Sequence, residues 1–417
     1  MPSIDDRVRE QYEAYPYPER DPKDERRRLV EGSPSHLDEI RHYLHGGRLD
    51  LTRPFRALVA GGGTGDAAIM LAQHLAGAGA GAAEVVYLDL SAASRRIAEA
   101  RAAERGLANM RFVSGTIEAV GDLAPGPYDY IDCCGVLHHL ASPEAGLRAL
   151  AGQLAADAGM GLMLYGTYGR SGVYPVQQAL AQLADDLPDV ERLAAAERLL
   201  AGLPASHLLK RNPLVGDHRS GKGAHLYDLL LHRRDRSYTV PELVELLATA
   251  TMTPIAWIEP ARYHPETYLA DPALRRRAAV LPAGERAALA ERLSTTMTKH
   301  ILYAGFADRP AVPAADPGAD ATVLVLRGLD PASVAKGLKP GGVLSADING
   351  AAYRMPLPPL APAIAARVDG RRPVAGIRSA IAEAGIAVPG PEQFAEQVRT
   401  LFAALHGVNR MLVRHAG

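Results

Sequence analysis

Gly61, Gly62, Gly63 and Gly65 interrupt an otherwise apolar stretch, and Asp89 follows 24 positions after Gly65. The apolar run at 57–60 leads into the glycines. A helical apolar pattern follows, and a second apolar run, 85–88, ends at the acid. The order is strand, glycine turn, helix, strand, acid, which is one βαβ unit of a parallel sheet. Glycines let a backbone turn sharply and approach a ligand closely, and they leave the N–H groups of the following helix pointing outward. An acid at the tip of the second strand can accept from both hydroxyls of a ribose. Taken with Asp89 the turn predicts a nucleoside site; alone it would suit any tight βα connection.

The glycines alternate as Gly61-x-Gly63-x-Gly65, whereas a dinucleotide site reads G-x-G-x-x-G. The segment resembles the class I S-adenosylmethionine (SAM) methyltransferases, whose first motif is usually written D/E-x-G-x-G-x-G. That resemblance implies SAM as cofactor, held by Gly61, Gly63, Gly65, Asp89 and Leu90. Val59 stands where the motif has its acid, so the contact to the methionine amino group must come from elsewhere. YDYIDCCGVLHHL, residues 128–140, matches the fourth motif of the same family. By that match Cys133 lies near the sulfonium and His138 and His139 border the reactive region. Histidine titrates near neutrality and could serve as a base. His138 is taken as the catalytic candidate, and His139 is read first as capping and packing the next helix, with a base role as the alternative. The turn 115–118 would meet the adenine edge, with the Thr116 hydroxyl and the Ile117 backbone as partners.

The elements that must position these residues are legible around them. The first fifty residues are polar and contain QYEAYPYPERDP, 11–22, with Tyr12, Tyr15 and Tyr17 close together and a helix candidate at 35–44. Prolines 16, 18 and 22 bar a regular helix there, and disordered segments are usually poor in aromatics. The arm is therefore read as ordered: either a strut on the core, or a lid whose Tyr12 or Tyr17 hydroxyl reaches the methionine carboxylate. Some methyltransferase groups without the first-motif acid carry a similar Y-E-x-x-P-Y-P arm. After the fourth strand a helix is expected over 143–159, then a fifth strand at 161–165. The loop behind it offers Tyr168 and Arg170 to a substrate.

Residues 171–253 read as an inserted helical cap. Its stretch DLLLHRRDRSYTVPELVELL resembles a segment of two methyltransferase groups, one fused to tetratricopeptide repeats and one with a regulatory domain that includes bacterial protein-lysine methyltransferases. The resemblance implies that His225, Asp228 and His232 reach over the active site. Packing is the competing role for the three, and the seven-residue spacing of the two histidines without further ligands makes no metal site. Two last strands at 254–258 and 299–306 should close the sheet. An alanine- and proline-rich linker, 310–317, then leads to a small α/β module, 318–417. Its phrase RVDGRRPVAGI resembles winged-helix modules that hold precursor peptides. Its last helix, amphipathic, could serve a homodimer interface or its own core.

Composition limits the partners. The 417 residues are 47% hydrophobic with a formal net charge of −1 and a pI near 6.9, so nothing pulls the chain generally toward nucleic acid or an anionic membrane. The two cysteines, Cys133 and Cys134, are neighbours and cannot normally staple a fold, which points to a reducing compartment. No signal-peptide core or membrane-length apolar run is present, and a cytoplasmic protein is expected. The expectation is a Rossmann-like, doubly wound α/β core of seven strands at 51–170 and 254–309, with an arm at 1–50, a cap and a C-terminal module. Its expected activity is methyl transfer from SAM to a protein or peptide side chain. A small-molecule methyltransferase and a SAM-binding regulator without turnover are the alternatives, and Asp228 joins His138 and Tyr168 as a catalytic candidate.

Overall fold

The structure is a computed structural model and describes residues 4–219, 221 and 223–415. Its seven-stranded sheet runs β3-β2-β1-β4-β5-β7-β6, from β1 (Phe55–Ala60), β2 (Ala83–Asp89), β3 (Met110–Ser114), β4 (Tyr128–Cys134), β5 (Leu154–Tyr165), β6 (Met252–Trp257) and β7 (Lys299–Phe306). β1 pairs in parallel with β2 and β4, β2 with β3, and β4 with β5, while β7 runs antiparallel to β5. β1, β2 and β4 are almost wholly buried, as parallel strands covered on both faces must be. Strand order reverses between β1 and β4, so the crevice beyond the C-terminal ends of these strands is where an α/β sheet takes a ligand.

The chain folds into two compact units. The first comprises Met1–Ser35, Leu51–Thr253 and Thr295–Ala307. Its N-terminal segment forms a helix, Ile4–Ala14, which the sequence reading did not anticipate. The inserted region is helical, with Val173–Ala184, Asp189–Gly202, Gly223–Leu230 and Val240–Ala248 among its helices. It has a core of its own in which Val173, Val176, Leu180, Leu226, Tyr227 and Leu230 meet, with Tyr15 packed against them.

The second unit comprises His36–Asp50, Pro254–Ser294 and Asp308–Gly417. Residues 36–50, which the sequence suggested as part of an arm, and 254–294 thus group with the C-terminal module, while the closing strand expected at 254–258 is present in the sheet as β6. The segment between β6 and β7 is largely helical, Pro272–Ala279 and Ala283–Ser294. In this unit β8 (Thr322–Leu326) pairs antiparallel with β11 (Met411–His415), and β9 (Val343–Ile348) forms a hairpin with β10 (Ala351–Pro356). The helices Val374–Glu383 and Pro391–His406 bury Ile377, Ile381, Phe394, Val398 and Leu401 against β8 and β11.

Two helix expectations are corrected. The helix expected over 35–44 begins at Leu37, capped by the His36 ring, and turns into a π-helix at Ile40–Leu44. The helix expected over 143–159 stops at Ala151, and β5 already starts at Leu154. A register shift between Tyr128 and Tyr130 lets β5 pair along β4 from Leu154 onward. That non-local pairing outweighs the helical propensity of an alanine-rich stretch.

Candidate active site

A cavity of about 490 Å³ opens in the first unit where the strand order reverses. Gly61, Gly62, Gly63, Asp89 and Leu90 line it from β1 and β2, Asp132, Cys134, Gly135 and Val136 from the end of β4, and Tyr12, Tyr17 and Pro18 from the N-terminal arm. Tyr165, Arg170, Asp217, Asp228 and Lys299 complete the walls.

The glycine floor is kept open by its neighbours. Gly61 and Gly63 take φ of +71° and +51°, where a side chain is strained. A Cβ on Gly61 would overlap Val136, and one on Gly63 would stand 2.8 Å from the Tyr17 carbonyl oxygen. Asp89 is built into this loop. Its carboxylate accepts from the Gly63 amide at 2.8 Å and the Ser91 amide at 2.8 Å. Each oxygen retains a lone pair for a ribose hydroxyl. Burial pushes this carboxyl up from its usual range, and the amide hydrogen bonds oppose the shift. An open glycine floor beside a held carboxylate fits the nucleoside half of a cofactor such as SAM.

The arm is fastened over the glycines. The Thr64 hydroxyl donates to the Pro18 carbonyl at 2.7 Å, Ser91 Oγ donates to the Tyr12 carbonyl at 3.1 Å, and the Glu13 carboxylate accepts from the Ala92 and Ala93 amides. Beneath it lies a buried ion cluster. Arg101 reaches Glu25 through Nε at 2.8 Å and Nη2 at 2.6 Å, and its Nη1 donates to the Thr64 carbonyl and to Asp66, each at 2.7 Å. Arg20 holds the same Asp66 from the other side.

The far wall gathers histidines, tyrosines and acids. The Arg234 peptide sets the protons on two stacked imidazoles, His139 and His232, whose centroids are 3.8 Å apart. His139 Nδ1 donates to the Arg234 carbonyl at 2.7 Å, so its Nε2 is left as the acceptor nitrogen. His232 Nδ1 accepts from the Arg234 amide at 3.0 Å, which puts that ring's proton on Nε2, 3.2 Å from Tyr12 Oη. Burial lowers the affinity of both rings for a second proton. His139, His232 and Asp228 offer ligand atoms within 4.8 Å of one another. With the His232 lone pair engaged by the Arg234 amide, however, this arrangement suits proton handling better than a cation. Asp228 accepts from the Tyr165 hydroxyl at 3.4 Å, and its carboxyl is pushed up to about 7, by burial first and then by Asp235. Arg170 is engaged by Asp235 at 2.9 Å and lies over the Tyr165 ring.

Of the residues singled out by sequence, Tyr12, Tyr17, Gly61, Gly63, Asp89, Leu90 and Asp228 line the cavity together. Gly65 does not; it gives close passage to Ala98 and Ile69. Thr116 is exposed and Ile117 buried outside the lining. Cys133 is not in the lining: strand alternation turns it away, while Asp132 and Cys134 face the cavity. His138 is buried against Tyr165 and His139, neither ring nitrogen has a hydrogen-bond partner among the described residues, and burial holds it neutral. Tyr168 is 37% exposed and lies outside the lining too. Sequence reasoning missed Asp132, Tyr165 and Lys299, and it undervalued His139. The alternation of β4 was the available signal for Asp132; for His139 there was none, since its partner lies 95 residues away.

Residues 58–160 match the family model of a methyltransferase domain. A Synechococcus protein without assigned function is 29% identical over 74% of this chain and 73% of its own length. The ubiquinone biosynthesis O-methyltransferase of Pectobacterium carotovorum is 24% identical over 40% of this chain and 72% of its own. Among solved structures, PKMT2 from Rickettsia typhi in complex with AdoHcy superposes with a TM-score of 0.65 at 12% identity. That match covers 91% of this chain and 76% of the other.

Proposed function

We propose that this chain, a class I SAM-dependent methyltransferase that resembles bacterial protein-lysine methyltransferases, methylates a basic side chain of a protein or peptide. The make-up of the cavity carries the reading. Of the five carboxylates that line it, Asp66 is paired with Arg20 and Arg101, and Asp89 and Asp132 stand at the cofactor end, which leaves Asp217 and Asp228 for an acceptor; of the side-chain cations, Arg170 is already engaged by Asp235. The rings of Tyr12, Tyr17 and Tyr165 share the walls. Acids among aromatic rings suit an ammonium on an apolar stem. A separately cored C-terminal unit, present within the 91% of the chain that superposes on PKMT2, supports an acceptor larger than a metabolite.

Bound SAM supplies an electrophilic methyl group on a cationic sulfur. The part of this chain is to hold donor and acceptor in line, from which most acceleration comes, and to take a proton. An ammonium must lose one before it can attack. His139, held neutral with Nε2 as acceptor, and Asp228, whose carboxyl is poised near neutrality, are the groups able to receive it. The tyrosines orient the stem, and the arm closes the cavity from water.

Likeness to ubiquinone O-methyltransferases over 40% of the chain favours the other reading, a small-molecule acceptor. Incubating the purified chain with methyl-labelled SAM and dialysed or undialysed lysate separates the two. Label retained on lysine or another basic residue of a protein is the expected result. Label found solely in dialysable products would overturn the reading.

A further inference from the structure

The geometry points to Asp132 as the residue that receives the α-ammonium of SAM, a task that Val59 cannot perform. This inference rests on SAM being the cofactor and is independent of the acceptor's identity.

Asp132 is a buried carboxylate without a cation. It is 2% exposed, and its Oδ2 accepts from the Ser35 hydroxyl at 2.7 Å. The other groups holding it, the Tyr130 hydroxyl and the Cys134 amide, are also neutral, and no Lys, Arg or His among the described residues pairs with it. Glu25 and Asp235, two other buried acids of this unit, do have cations: Glu25 has Arg101 and Arg105, and Asp235 has Arg170. Burying a carboxylate with neutral donors alone is costly, so such a group persists where a ligand brings the missing charge. Accordingly, burial pushes the Asp132 carboxyl up to about 7.

Position selects which charge. Val59 on β1 and Asp132 on β4 are register partners in a parallel pair, so their side chains leave the same face, and both line the cavity. The strands run β3-β2-β1-β4, with Asp89 at the end of β2 and the open glycines after β1. A nucleoside whose ribose is held by Asp89 extends one arm toward β3 and the other across the glycines toward β4. The base is flat and neutral; the amino-acid arm is cationic. An acid waiting at β4 therefore meets the amino-acid arm. The other cavity acids are placed differently, Asp217 on the inserted helical region. Asp66 is held by Arg20 and Arg101, Asp89 by two amides, and Asp228 lies on the cap beside Tyr165.

A thermodynamic cycle tests the assignment. Binding of SAM, S-adenosylhomocysteine and 5′-methylthioadenosine is measured by calorimetry for the wild-type chain and for Asp132→Asn. Methylthioadenosine keeps the nucleoside and thioether but lacks the ammonium. The expected result is a loss of roughly 10- to 100-fold for SAM and S-adenosylhomocysteine alike, as for a hydrogen bond to a charged group, with methylthioadenosine within about twofold. Asn preserves shape and the Ser35 contact, so methylthioadenosine binding itself reports an intact site. If Asn does not fold, Asp132→Ser enters the same cycle. For the wild type, the affinity gap between S-adenosylhomocysteine and its deaminated analogue supplies the same comparison. Equal losses for all three ligands, no loss, no such gap, or a loss confined to SAM, which would assign the acid to the sulfonium, would each overturn the proposal. If the wild-type chain bound none of them, the cofactor itself would be in error.

Discussion

Replacing Arg101 by methionine should destabilise the first unit and loosen the cofactor loop at once. The Arg101 side chain is 1% exposed and its partner Glu25 is 2% exposed. Their contact is bidentate, and a further nitrogen ties the Thr64 carbonyl and Asp66 to the same guanidinium. Methionine keeps most of the apolar stem but leaves Glu25 with Arg105 alone and the Thr64 carbonyl without this donor. Breaking a buried pair from one side costs about 3–5 kcal/mol, because the remaining charge stays buried. Arg105 and Arg20 still neutralise part of it, which favours the lower end, about 3 kcal/mol. Since Thr64 and Asp66 border the glycines, SAM affinity should fall about tenfold as well. Urea unfolding followed by far-UV circular dichroism reads the first effect, and calorimetric titration the second. The double variant Glu25→Met, Arg101→Met removes both charges and should recover at least half of the lost stability. A single variant within about 1 kcal/mol of wild type, or a double variant less stable than the single, would refute the reasoning.

Other perturbations follow from the same geometry. Gly63→Ala puts a Cβ against the Tyr17 carbonyl at a φ of +51°, a strain of about 1–2 kcal/mol, so SAM should bind at least tenfold more weakly; unchanged affinity would contradict the open floor. His139→Ala should reduce kcat about 10²- to 10³-fold with little change in SAM affinity, whereas His138→Asn should do far less; the reverse order would restore His138 as the base. Asp228→Asn should make stability less sensitive to pH. The carboxyl titrates near 7 in the fold and from about 3.8 when unfolded, so the folded state binds more proton between those values. Stability of the wild type therefore falls as pH rises through that window, by up to about 1.4 kcal/mol per unit, and levels off above it. The Asn variant should gain on the wild type between pH 4.5 and 8, and an equal difference at both ends would count against a buried, raised carboxyl.

Local signals carried much of this architecture. The glycine turn, Asp89 and the apolar runs of β1, β2 and β4 follow from periods and residue types within about thirty positions, and the structure contains these elements. The tyrosine arm was legible for the same reason. Failures came where distant segments decide. Alternation alone should have moved attention from Cys133 to Asp132, yet the value of Asp132 lies in its register with Val59 and its contact with Ser35, 97 residues away. His139 became more interesting than His138 through a peptide at Arg234, and Arg101 found Glu25 across 76 positions. The helix expected over 143–159 was cut short by pairing to β4, which no window of sequence reveals.

The central claim, that the glycine floor and Asp89 form a SAM site, is tested most directly by calorimetric titration of the purified chain with SAM and, separately, with NAD. Micromolar SAM binding, weakened about 10- to 100-fold in Asp89→Ala and without comparable NAD binding, is the predicted result. Binding of NAD in place of SAM, or SAM binding indifferent to Asp89, would contradict it.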